Sequence, residues 1–189
     1  MTPEQLLFAG ECLVVVDDDV DIRDTVCRYL SSLGFATEAA GSGLELLEIM
    51  KRRRVALVLL DIGLPDRDGR SVLKDVVEND PDAVVVMLTG VADLKVAMEC
   101  IRDGADDFLA KPASFNEIQV VVKRTLEKRR LVFENRRYQE DLEKAHFRIN
   151  VLHHLSIKMN TAYLSTVEVD EILQAILVGI TAREGLRFN

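Results

Sequence analysis

No stretch of the chain approaches the roughly eighteen apolar residues of a membrane span, and the opening MTPEQLLFAGE lacks the basic start of a secretory signal. Both absences lead us to expect a cytoplasmic protein. Cysteine is scarce: Cys12, Cys27 and Cys100 are far apart, odd in number and set among apolar residues. That excludes a disulfide framework and reads as reduced core thiols. Glycine-rich phosphate loops, Ser-His-Asp sets and zinc-ligand clusters are missing, as are helix-turn-helix, cyclase, ATPase and kinase catalytic motifs. Basic charge is short in the first part of the chain: residues 1–113 carry 22 acidic against 12 basic residues, a net of −10, and residues 114–189 carry 10 against 12, a net of +2. An acidic first part argues against nucleic acid as its ligand, because a phosphate backbone needs a basic face. The one short basic run, KRRR at 51–54, falls at an expected helix end, where it favours the dipole.

What is present is a core and a rhythm. With 48% hydrophobic and 30% charged residues, the chain is globular. Five apolar, strand-like runs recur: Cys12–Val16, Phe35–Ala40, Val55–Leu60, Ala83–Leu88 and Phe108–Ala110. They lack polar alternation, as strands buried on both faces do. Helical patterns with apolar steps of three and four lie between them, over Val20–Leu33, Ser42–Arg53, Gly69–Asn79 and Ala92–Asp103, and a fifth starts near Ser114. Ser42 suits an N-cap, and Gly34 and Gly104 stand where a helix ends in a left-handed residue. Such alternation predicts an α/β fold: a parallel sheet with helices on both faces.

Ligands of these sheets sit beyond the carboxyl ends of the strands. There the first run leads into Asp17, Asp18 and Asp19, the third into Asp61, the fourth into Thr89 and Gly90, and the fifth into Lys111 and Pro112. Crowded carboxylates repel one another unless a cation joins them. Oxygen ligands with spare coordination sites suit Mg²⁺, which keeps several waters and takes phosphate oxygens. With a lysine and a threonine hydroxyl nearby, the rim suits a small phosphoryl group, and Asp61 is the candidate nucleophile, since carboxylates form aspartyl phosphates.

The segments VVDDD, LVLLDIGLPDRDG, VVMLTG and GADDFLAKP, in this order and spacing, resemble the receiver domain of bacterial response regulators over about residues 10–127. An isolated acidic loop or Asp-Gly turn is ordinary; four such motifs at the right strand ends are not. The resemblance implies a five-stranded parallel sheet of flavodoxin-like order 2-1-3-4-5 with five helices. It implies Asp61 as phosphoacceptor, and Mg²⁺ bound by Asp18, Asp61 and the Gly63 backbone carbonyl, with Asp17 acting through water. Thr89 and Lys111 would contact the phosphoryl group, Thr89 and Phe108 would form the switch, and the Lys111–Pro112 peptide would be cis. Pro65 belongs to the turn after the acceptor and Gly69 to the start of the next helix. Gly63 and Val91 occupy positions that tune loss of the phosphoryl group; neither has a polar side chain, which implies a longer-lived phosphoryl state. Asp19 has no ligand role in this pattern.

Beyond the receiver, Leu131, Asn135, Tyr138, Leu142, Ala145, Ile149, Leu152, Ser156 and Met159 step by four and three. That is a heptad seam with Asn135, Leu142, Ile149 and Ser156 at a, and a buried Asn at a fixes register. No proline or glycine interrupts Ser114 to Val178, so the fifth helix is expected to run into this coil unbroken. A helix docked on its own receiver remains the alternative. His146, His153 and His154 fall on the rim of the coil, without the residues that follow a kinase phosphoacceptor histidine. The end, LSIKMNTAYLSTVEVDEILQAILVGITAREGLRFN, resembles the opening helices of a GAF domain. No residues remain for the sheet of that fold, so a fragment of a longer protein, or a stub serving dimerisation, is expected.

The expected organisation is a receiver over 1–127, a coiled-coil signalling helix over 128–160, and a helical segment over 161–189 that could open a GAF domain. The expected partners are a cognate histidine kinase or phosphotransfer protein and a second copy of the chain, with neither nucleic acid nor membrane. The chain is not expected to be an enzyme. The alternatives are a dimerisation adaptor with an inactive receiver, or a phosphatase working through an aspartyl phosphate; the phosphatase would need an Asp-x-Asp pair, and the chain has Asp61-Ile62-Gly63.

Overall fold

The structure, a computed structural model, describes residues 12–90, 94–165 and 173–178. Five strands alternate with helices: β1 (Cys12–Val16), α1 (Val20–Ser32), β2 (Ala36–Ala40), α2 (Gly43–Arg52), β3 (Leu57–Asp61), α3 (Gly69–Asn79), β4 (Val84–Thr89), α4 (Leu94–Arg102), β5 (Asp107–Ala110) and α5 (Phe115–Ser165). All pairings are parallel, in the order β2-β1-β3-β4-β5. The chain runs outward from β1 to β2 on one side and from β3 to β4 on the other, so its topological switch point lies between β1 and β3.

Two apolar layers enclose the sheet, and the strand period assigns the residues. Val14, Val16, Val58 and Leu60 face one layer with Leu46 and Ile49 of α2, Val72, Leu73 and Val76 of α3, and Cys100 of α4. Leu13, Val15, Leu57 and Leu59 face the other with Val26 and Leu30 of α1 and Ile118, Val121, Val122 and Leu126 of α5. Both faces of β1, β3 and β4 are therefore buried, which is why their sequences show unbroken apolar runs.

Local chemistry sets the ends. Ser42 caps α2 by accepting the Glu45 amide at 3.2 Å. Ser114 and Glu117 form a reciprocal capping box at the start of α5. Gly34 and Gly104 adopt φ of 94° and 110°, the left-handed form expected of them. Four strands are displaced from the apolar runs; β2 starts one residue later, at Ala36. Val55 and Ala56 are buried but precede the β3 ladder, whereas Asp61 ends it, opposite Leu88. Likewise β4 starts at Val84 and takes in Thr89, and β5 takes in Asp107. Apolarity reports burial; the hydrogen-bond ladder decides strand limits.

The chain divides into two units, Met1–Leu131 and Val132–Asn189. In the second, Asn135, Tyr138, Leu142, Ala145, Ile149 and Leu152 lie on α5 and are all exposed. His146, His153 and His154 are exposed as well. Residues 173–178 are helical, with Leu173, Leu177 and Val178 exposed. The rest of the GAF-like stretch beyond residue 165 lies outside the described residues. No helix among the described residues is long and apolar enough to cross a membrane.

Candidate functional site

Four strands deliver one side chain each to the same rim. Asp17 follows β1, Asp61 ends β3, Thr89 ends β4 and Lys111 follows β5. Asp17 is fully buried, while Asp61 and Thr89 are 7% and 5% exposed. Asp18 is exposed, yet carboxylate oxygens of Asp17, Asp18 and Asp61 all lie within 4.8 Å of one another. The backbone nitrogen of Lys111 donates to the Thr89 carbonyl at 2.7 Å, which keeps the end of β5 in register beside β4.

The ammonium of Lys111 bridges the acids, donating to Asp17 Oδ2 at 2.6 Å and lying 3.0 Å from Asp61 Oδ2. Burial pulls the Lys111 pKa down, but hydrogen bonds and charge from Asp17 and Asp61 outweigh it and leave the group above the usual lysine range. Asp17 is held further by the Asp19 amide, which donates to Oδ1 at 3.0 Å. Arg23 donates to the Asp17 carbonyl at 2.7 Å. The Lys111–Pro112 peptide is cis.

Asp19 caps α1, accepting the amides of Asp21 and Ile22. An Asp just before an apolar helical period is a signal that sequence reading could have used. Asp66, three residues before α3 starts at Gly69, accepts the amides of Gly43 and Leu44 at the start of α2 at 3.1 and 3.0 Å. Burial raises the Asp66 pKa, but these backbone hydrogen bonds prevail and hold the carboxyl below its ordinary value. No local pattern announced this contact, because its partners are more than twenty residues away.

The turn after Asp61 is closed by Gly69. Its amide donates to the Ile62 carbonyl at 3.0 Å, and a Cβ there would lie 2.3 Å from the Asp61 carbonyl oxygen and 2.7 Å from Ile62 Cα. Both obstacles are backbone, so Gly69→Ala is expected to cost about 2–3 kcal/mol, read by urea unfolding. Gly63→Ala would meet Asp61 Oδ2 at an ordinary 3.8 Å and should be near neutral. A Gly69→Ala loss below about 0.5 kcal/mol would show that the turn yields easily.

Phe108 is partly buried against the layer that holds Val58 and Leu60. Val91 lies outside the described residues. The basic run is away from the rim: Lys51 pairs with Glu48, Arg53 with Glu38 and Arg54 with Asp82, while Lys51 and Arg52 occupy the last turn of α2.

A doubly wound sheet with a carboxylate cluster and a lysine beyond its carboxyl edge makes an α/β domain of the CheY-like type. The family model for the response regulator receiver domain matches residues 13–123, and the chain belongs to that family. It is 34% identical over 139 residues to the C4-dicarboxylate transport transcriptional regulatory protein DctD of Rhizobium meliloti, covering 74% of this chain and 30% of that protein. It is 34% identical to the regulatory protein LuxO of Vibrio cholerae over 60% of this chain and 25% of LuxO. The chain thus spans less than a third of these relatives. Among solved structures, the receiver domain of NtrX from Brucella abortus is similar at 38% identity with a TM-score of 0.59, covering 61% of this chain and 98% of that one. A CheY-like receiver domain from Methanospirillum hungatei is similar at 28% identity and a TM-score of 0.62, over 65% and 98%.

Proposed function

We propose that the chain is a phosphorylation-controlled switch. Asp61 accepts a phosphoryl group from a partner histidine kinase or phosphotransfer protein, and a dimeric helix passes the change to an output domain. The observation that carries this reading is the meeting of Asp17, Asp18 and Asp61 with Lys111 at the sheet edge. Phosphoryl uptake by Asp61, followed by intact mass, tests it.

The donor set fits Mg²⁺: three carboxylate oxygens within 4.8 Å, with room in an octahedral shell for waters and phosphate oxygens. Asp18, Asp61 and the Gly63 carbonyl would hold the ion directly and Asp17 through water. When bound, Mg²⁺ supplies charge neutralisation for the phosphoryl oxygens. An Asp61 carboxylate oxygen attacks phosphorus as the bond from phosphorus to the donor nitrogen breaks, and the donor imidazole leaves with that electron pair. Lys111, already in contact with Asp61, follows the charge onto the phosphoryl oxygens, and the Thr89 hydroxyl donates to another. Phe108 lacks a hydroxyl, so it reports the switched state through packing alone. The protein is a signalling acceptor rather than an enzyme, and works in the cytoplasm without a nucleic-acid or membrane ligand for this domain.

We divide the chain into the receiver at 1–127, the coil at 128–160 and a helical segment at 161–189 that leads toward a GAF-like domain. Support for the coil is an apolar seam left open to solvent: Tyr138 is 74% exposed and Leu152 65%. Asn135 can meet its own copy only in a parallel pair; opposite an apolar residue it would lose its partner. With Cys12, Cys27 and Cys100 replaced, Leu142→Cys is expected to self-cross-link efficiently. A monomer in sedimentation at micromolar concentration, or cross-linking confined to unlike positions such as 138 with 152, would rule out the parallel coil.

A further inference from the structure

We propose that Arg70 is a positioning residue: by gripping Glu99 and Asp103 it ties the turn after Asp61 to α4 and restrains the rearrangement that phosphorylation drives. The inference rests on the reading of Asp61 as acceptor. Gly69 is wedged against the backbone of Asp61 and Ile62, so the next residue, Arg70, cannot shift without moving the acceptor turn. Its guanidinium, about a third exposed, spreads over α4: Nε and Nη2 donate to Asp103 Oδ2 at 3.2 and 2.7 Å, and Nη1 donates to Glu99 Oε2 at 2.8 Å. Glu99 lies on α4 and Asp103 directly follows its last residue, its amide still donating to the Glu99 carbonyl at 2.9 Å, so both carboxylates stand at the end of α4. Lys74, one turn further along α3, places a second cation 3.8 Å from Asp103 Oδ1. The hydrogen bond from Arg70 holds the Asp103 carboxyl below its ordinary pKa. Beyond α4, Gly104 passes so close to α3 that a Cβ would lie 3.2 Å from Val77 Cγ2.

The other end of α4 connects to the site through the chain itself. Residues 90–93 alone separate Leu94, where α4 starts, from Thr89. A turn of the Thr89 hydroxyl toward a phosphoryl group on Asp61 would displace Leu94, five residues on, and with it α4; the Arg70 fork opposes that displacement. A contact made better in one of two states biases the equilibrium toward that state. An isolated exposed pair would do little; here one fork holds two carboxylates, with Lys74 supporting it, and its base is fixed to the acceptor turn.

Beryllofluoride with Mg²⁺, a mimic of the phosphoryl group, is the probe, titrated calorimetrically into the full chain. Arg70→Ala should bind it about threefold more tightly, the factor that a partly exposed ion pair can supply. Asp103→Ala should do the same, and the double variant should gain no more than either. Arg70→Lys should fall between, because an ammonium cannot fork. Concentrated salt should narrow the gap between wild type and Arg70→Ala. Unchanged or weaker binding by Arg70→Ala, or additive gains in the double variant, overturns the proposal. So does a lower melting temperature at unchanged affinity, which would make Arg70 a packing contact only. A wild type that binds no beryllofluoride would overturn the acceptor reading and the restraint together; binding by wild type with no response to Arg70→Ala overturns the restraint alone.

Discussion

Incubation with acetyl phosphate and Mg²⁺ should add one phosphate to the wild-type chain and none to Asp61→Asn, by intact-mass analysis. Asparagine keeps the size and shape of the side chain, so the end of β3 and its pairing with β4 should survive the substitution. What it removes is the carboxylate proposed as nucleophile, one of the two charges facing Lys111. The Lys111 ammonium keeps its shorter contact to Asp17, at 2.6 Å, so the rim should not collapse. Chelating the Mg²⁺ should abolish uptake in the wild type too, since like-charged donor and acceptor must approach across a cluster of carboxylates. Equal labelling of wild type and Asp61→Asn would place the acceptor elsewhere and undo the assignment. Labelling of neither would leave the inactive-receiver alternative standing.

Lys111→Met should cost about 3 kcal/mol in metal-free urea unfolding, the lower end of the range for removing one partner of a buried pair. Asp17 is fully buried, and its second oxygen accepts only the Asp19 amide among the described contacts. Without the ammonium, Asp17 and Asp61 face each other with no cation between them. The lower end applies because the Lys111 side chain is 22% exposed, so water screens part of the charge. Adding Mg²⁺ should restore part of the loss, because an ion that binds the native state alone stabilises it by mass action. A variant as stable as wild type without metal would show that the two carboxylates need no internal cation. A variant that Mg²⁺ fails to stabilise would argue against a metal at this rim.

These two substitutions probe opposite sides of what sequence reading can reach. Asp17, Asp18, Asp61, Thr89 and Lys111 were identifiable because each stands at the end of an apolar run, and parallel strands bring such ends to one edge. Ser42, Gly34 and Gly104 were legible for a similar reason: caps act within a few residues, so their signal is local. The limits of β3 were not. Val55 and Ala56 are as buried as strand residues, and Ala56 still bonds to Cys12 and Val84, but only the register with β4 shows that the paired strand runs from Leu57 through Asp61.

The order of elements and the acidic edge were thus set by the sequence itself, through periodicity, run length and charge, which neighbouring residues express without help from the rest of the chain. Tertiary structure alone decided which charge meets which. Lys111 lies 94 residues from Asp17 and closer to it than to Asp61; Asp66 caps a helix 22 and 23 residues back; Arg70 spans 29 and 33 residues to reach α4. Such pairs leave no trace in local pattern, because their distances depend on how layers pack across the sheet. Gly69 belongs with them: nothing in its immediate sequence requires a residue without a Cβ, and the need arises only where α3 presses against the backbone of Asp61 and Ile62.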